Sequence, residues 1–139
     1  MSTHLTILTL DAHLTTAFER ARARLEREVP GLELSLHLAA TWGDEAAAER
    51  ARADVARADI IVATDLFIED QIKALLPTLE ARRDQAKAVV CLMSAGEVMR
   101  NTTMGKFRLR SDASQGAPPP WSPAGILKRL RGERKSVRA

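Results

Sequence analysis

The stretch Val89-Val90-Cys91-Leu92-Met93-Ser94-Ala95-Gly96-Glu97-Val98-Met99-Arg100 constrains this chain more than any other. An apolar run of strand length stops at a serine. Glu97 then follows Ser94 at capping-box spacing, in which the serine hydroxyl accepts from the Glu97 amide and the carboxylate reaches back to the Ser94 amide. A buried strand feeding directly into a helix is the unit of an open α/β sheet, and such sheets place ligands at the carboxyl ends of their strands.

The same unit recurs along the chain. Leu5 to Leu10 predicts a first strand, after which Leu14, Ala17, Phe18, Ala21, Leu25 and Val29 recur at helical spacing until Pro30-Gly31 stops the helix. Leu32, Leu34, Leu36 and Leu38 alternate with Glu33, Ser35, His37 and Ala39, the period of two of a strand at a sheet edge. Trp42-Gly43-Asp44 forms a turn, and Ala47, Ala51, Val55 and Ala58 make a small-residue stripe that lets a second helix lie close to the sheet. The run from Asp59 to Ala63 is almost wholly apolar and predicts a central strand. Ile68, Ile72, Leu75, Leu76 and Leu79 set a third helical face, with Pro77 predicting a kink or two abutting helices. Ala88 to Met93 is the fourth strand, and the periodic signal fades after Met99.

Alternation of this kind predicts right-handed crossovers and a flavodoxin-like three-layer α/β fold, with a mainly parallel sheet of about four strands in the order 2-1-3-4, covered on both faces. The α/β domain is expected over residues 1–107. Pro118-Pro119-Pro120 and the polar residues before it predict a Pro-rich linker over 108–120. Residues 121–139 place Ile126, Leu127 and Leu130 among Lys128, Arg129, Arg131, Arg134 and Lys135, a short basic amphipathic helix read as a connection to a further protein body.

Composition narrows the function classes. At 139 residues the chain is one domain long, and its 4% aromatic content, with no Tyr, argues against stacking on nucleobases. The net charge of +3 is modest, so no nucleic-acid partner is expected. Cys91 is single and sits in an apolar run, which makes it a core residue. No signal peptide or transmembrane segment is evident, and a cytoplasmic location is the expectation.

Several segments, taken in order, carry a resemblance. Leu8-Thr9-Leu10-Asp11-Ala12-His13-Leu14, Trp42-Gly43, Ala58-Asp59-Ile60-Ile61-Val62-Ala63-Thr64 with Phe67-Ile68-Glu69-Asp70, Ser94-Ala95-Gly96-Glu97-Val98, and Thr103-Met104-Gly105-Lys106-Phe107 together resemble the N-terminal domain of magnesium chelatase H subunits, from about Leu5 to Arg131. The resemblance implies a part of the porphyrin-binding subunit of an enzyme that inserts Mg²⁺ into protoporphyrin IX in chlorophyll and bacteriochlorophyll biosynthesis. ATP would be hydrolysed by separate AAA+ motor subunits. The implied partners are those motors, the remainder of the H subunit and, in the intact subunit, the porphyrin. The segment itself is expected to hold no cofactor and to act as scaffold rather than catalyst.

The predicted topology gathers Asp11, His13, Asp65, Glu69, Ser94 and Glu97 on one rim, the candidate site. Structural roles compete with functional ones at each: Asp11 and Asp65 precede helical periodicity and read as N-caps, and Ser94 and Glu97 as capping partners. Three scattered histidines, His4, His13 and His37, give no metal-ligand spacing, and neither a phosphate loop nor a nucleophile elbow is present. No catalytic or metal residue is therefore assigned. The competing class is a free-standing ligand-binding or signalling module. Response-regulator receivers resemble the chain in acids after the first and third strands, Asp11 and Asp65, but the basic residue expected after a fifth strand is missing. Cobalamin-binding domains resemble it at Asp11 and His13, although Thr16 stands where they carry glycine.

Overall fold

The structure, a computed structural model, describes residues 2–109 together with Pro123, Ile126, Leu127 and Leu130. Its elements alternate as expected: β1 (Thr3–Thr9), α1 (Leu14–Glu28), β2 (Leu32–Leu38), a 3-10 turn (Ala39–Thr41), α2 (Glu45–Arg57), β3 (Ile60–Thr64), α3 (Glu69–Arg82), β4 (Ala88–Leu92) and α4 (Gly96–Met99). Two short strands follow, β5 (Thr103–Met104) and β6 (Phe107–Arg108). The sheet order is β2-β1-β3-β4-β5-β6. The first four strands are parallel in the predicted order, and β5 and β6 extend them antiparallel. The sequence reading missed this last pair, because two-residue strands have no periodicity. Gly105, at φ 58°, makes the turn between them.

The core lies between the sheet and the α2–α3 layer. Ala47, Ala51, Val55 and Ala58 are all buried, so the small-residue stripe does bring α2 against the strands. Leu8, Ile61, Ala63, Val89 and Cys91 meet it from the sheet, and Ile72, Leu75 and Leu79 from α3. Pro77 lies within one uninterrupted helix, so the two-helix alternative does not hold.

The opposite face departs from expectation. Of the apolar stripe on α1, Phe18 alone is buried, while Leu25 and Val29 are exposed. Periodicity identifies which side of a helix is apolar, not how much of it a neighbour covers. The sheet is thus fully covered on one face and partly covered on the other. The expected linker lies outside the described residues from residue 110 onward. Of the expected tail helix, Pro123, Ile126, Leu127 and Leu130 are described, and all four are helical and exposed.

Candidate functional site

Parallel neighbours β1, β3 and β4 end on the same side, which brings their exit loops together. The β3 and β4 exits both turn through the left-handed region, Asp65 at φ 59° and Met93 at φ 45°. That conformation costs a non-glycine residue roughly 1 kcal/mol or more, Asp less than Met. It persists because the two loops brace each other. The Asp65 amide donates to the Met93 carbonyl at 3.1 Å, and the Ala95 amide to the Leu66 carbonyl at 2.9 Å. Between them, Ser94 Oγ accepts from the Leu66 amide at 3.1 Å and donates to the Leu92 carbonyl at 2.9 Å.

This arrangement corrects the expected capping box. Helix α4 begins at Gly96 with Ala95 as its N-cap and no side-chain cap, one residue too late for Ser94 and Glu97 to pair. Buried at 6% exposure, the Ser94 hydroxyl instead serves the Leu66 amide, which would otherwise lie buried and unsatisfied. Asp65 does not cap α3 either, because the N-cap there is Ile68, three residues further on. Asp11 shapes the turn ahead of α1: its Oδ1 accepts from the His13 amide at 2.9 Å, and its own amide donates to Thr9 Oγ1 at 3.1 Å. His13 is the N-cap residue of α1 and is exposed.

The six candidate residues therefore divide. Asp11 and His13 are joined by one hydrogen bond, Asp65 and Ser94 sit in two mutually bonded loops, and Glu69 and Glu97 are exposed. Glu69 pairs with Lys73 at 2.8 Å. Among the described residues, no three His, Cys, Asp or Glu side chains are grouped so as to hold a metal ion.

Sequence reasoning missed the rim's apolar character. Phe67, Ile68, Leu92 and Met93 are all exposed there, Met93 at 72%. An apolar run outlasting its strand, as the run through Met93 does, was the available signal. A shallow cavity of about 290 Å³ lies beside this rim, between the 3-10 turn and the start of α3. Trp42 and Gln71 line it, and Trp42 Nε1 and Gln71 Oε1 are buried without a hydrogen-bond partner among the described residues.

Two other groups have environments worth stating. Burial pushes the Cys91 thiol up to about 11, with the Thr102 hydroxyl acting the other way, so Cys91 is an inert core thiol as the sequence suggested. On β2, His37 Nε2 lies 2.7 Å from Asp54 Oδ2 of α2, and Arg57 reaches Asp54 Oδ1 at 2.9 Å. Partial burial alone would raise the Asp54 carboxyl, yet the hydrogen bonds and charges of His37 and Arg57 outweigh it and hold it below its ordinary 3.8. Because the folded value is the lower one, the stabilisation is present above the unfolded value and disappears as pH falls through the folded one. Asp54→Asn is expected to cost about 1 kcal/mol at pH 7. Urea titrations of both proteins should show that difference shrinking as the pH is lowered below the ordinary carboxyl value of 3.8, and a constant difference would contradict it.

Comparison with known proteins covers nearly the whole chain. Over 130 residues, 93% of this chain, it is 39% identical to the magnesium-chelatase H subunit of Cereibacter sphaeroides. Over 128 residues, 91% of the chain, it is 36% identical to the magnesium-chelatase H subunit of Rhodobacter capsulatus. The chain spans about a tenth of the length of these curated relatives, 10% of each. No helix among the described residues is long and apolar enough to cross a membrane. A family model described as a domain of unknown function (DUF3479) matches residues 4–139, nearly the entire sequence, and the chain belongs to that family.

Proposed function

We propose that this chain serves as the amino-terminal α/β part of a magnesium chelatase H subunit, the subunit that binds porphyrin while Mg²⁺ is inserted into protoporphyrin IX. The observation that carries this reading is 39% and 36% identity to two such subunits over more than nine-tenths of the chain. Mg²⁺ dehydrates reluctantly. Metallation must also remove two pyrrole protons, so coupling to ATP hydrolysis on AAA+ motor subunits is chemically reasonable. The setting would be the cytoplasm, in chlorophyll or bacteriochlorophyll synthesis.

Within that subunit the α/β unit, through about residue 107, acts as scaffold, and residues 108–120 and 121–139 connect it to the rest. Its rim, with Asp11, His13, Asp65, Glu69, Ser94 and Glu97, closes over substrate or contacts a partner rather than performing chemistry. The exit-loop hydrogen bonds support this, since they commit the Ser94 hydroxyl to backbone partners.

Two measurements test the proposal. A chimera carrying this chain in place of the matching segment of the Cereibacter sphaeroides subunit is expected to retain Mg²⁺ insertion within about tenfold. A folded but inactive chimera would count against family function. Fluorescence titration of protoporphyrin IX into the 139-residue chain is expected to give a Kd at least 100-fold weaker than that of the whole relative. Equal affinity would put the pocket inside this chain and end the scaffold reading.

A further inference from the structure

The sheet face opposite the α2–α3 layer is apolar across its whole width. Registered partners on neighbouring strands project to the same side, so Leu34, Leu5, Ile60, Ala88, Met104 and Phe107 form one row crossing all six strands. Leu36, Ile7, Val62 and Val90 form the next row. Cover fails from one end of the row to the other. Leu34 is 7% exposed on β2, where α1 packs, whereas Met104 and Phe107 are 47% and 51% exposed. Right-handed crossovers explain the asymmetry: the chain moves one way from β1 to β2 and the other way from β2 to β3 and β4, so α1 lies on one face and α2 and α3 on the other. A single helix cannot span six strands.

A second exposed apolar stripe lies among the described residues. Pro123, Ile126, Leu127 and Leu130 are helical and follow the i, i+3, i+4, i+7 spacing of one helix face. Ile126, Leu127 and Leu130 are 49%, 59% and 53% exposed. We infer that this helix docks, within the same chain, onto the open half of the sheet over β3, β4 and β5, beside α1.

Length permits it. The 13 residues from 110 to 122 reach at most about 45 Å when extended. Three strand spacings, from β6 back to β3, are about 15 Å. Chain direction favours it too, since β6 ends at the edge of the uncovered half. Lys128, Arg129 and Arg131 fall outside the apolar positions, so docking the stripe does not require burying them. The inference does not depend on the chelatase reading.

A nitroxide on Gly132→Cys of the full chain tests it, because Cys91 is buried and does not compete for the label. Docking predicts that the methyl signals of Ile60, Val62 and Val90 lose more than half their intensity, while those of Ile72, Leu75 and Leu79 in α3 are affected at least threefold less. Adding Ile126→Asp and Leu130→Asp, both at exposed positions, should restore the signals without altering β-sheet shifts. Uniform intensities, broadening centred on α3, or no recovery in the double variant would overturn it. Broadening that fades on dilution with unlabelled chain would also overturn it, by assigning the face to a second copy.

Discussion

Leu8→Ala is expected to cost about 3–5 kcal/mol of folding stability. Leu8 is fully buried on a central strand and lies in register with Ala63 of β3, which in turn pairs with Cys91 of β4. It is the one large apolar side chain in that row. Across from it, Ala47, Ala48 and Ala51 line α2, and their small size is what lets the helix approach. An alanine at position 8 would leave Ala63 and Cys91 of its row, and Ala47, Ala48 and Ala51 of α2, with side chains too short to reach into the space. The transfer loss and the cavity loss then add, at roughly 24 cal/mol per Å³ of residual void. For a domain with about 5–15 kcal/mol in total, this is a large fraction. Urea unfolding should show the midpoint falling with an unchanged slope. A loss below about 1 kcal/mol would mean that the sheet and α2 are not close-packed there.

What made this core legible is that its determinants are local. Almost continuously apolar runs at 59–63 and 88–93 identify interior strands of a parallel sheet, and the alanine stripe of α2 shows a close approach before any partner is known. The order 2-1-3-4 came with the flavodoxin-like expectation and the structure has it, whereas crossover handedness alone sets which face each helix covers. Legibility ended where the outcome depended on quantity rather than pattern. The α1 stripe is a good amphipathic signal, yet Phe18 is the one residue of that helix that is buried, and a sheet that gains β5 and β6 at the far edge extends beyond the strand on which α1 packs. Those strands gave no period to read, and Gly105 between Met104 and Lys106 was their one turn signal.

The rim was legible in outline and misread in detail. Topology placed the residues after β1, β3 and β4 at one end of the sheet, and that held. Side-chain roles were assigned from spacing alone, and spacing cannot weigh a local cap against a buried long-range partner. Ser94 and Glu97 have the intervals of a capping box, but Ser94 bonds across 28 residues to Leu66, and the helix start slips to Gly96. Asp65 resembles an N-cap by position, yet its backbone conformation, left-handed at φ 59°, is the more telling property. Asp tolerates that region better than most residues, which accounts for an acid there without any chemistry.

Ser94→Ala should therefore weaken the rim by about 1–3 kcal/mol, although the change removes a single oxygen. Leu66 is fully buried, and its amide has Ser94 Oγ as acceptor, so alanine leaves a buried donor unsatisfied rather than simply deleting a contact. The same substitution frees the Leu92 carbonyl from the serine proton and loosens the pairing that holds Asp65 and Met93 in their left-handed turns. Met93→Gly is expected to act in the opposite direction, gaining up to about 1 kcal/mol, because φ 45° carries no penalty for glycine and the lost side chain is 72% exposed. Opposite signs from adjacent positions distinguish a strained, braced rim from a passive loop. Amide exchange adds the local reading: in Ser94→Ala, Asp65 and Leu66 should exchange at least tenfold faster while β1 amides are unchanged. Equal, small losses from both substitutions would show that the two exit loops do not hold each other, and the rim would then have to be rigid for another reason or not rigid at all.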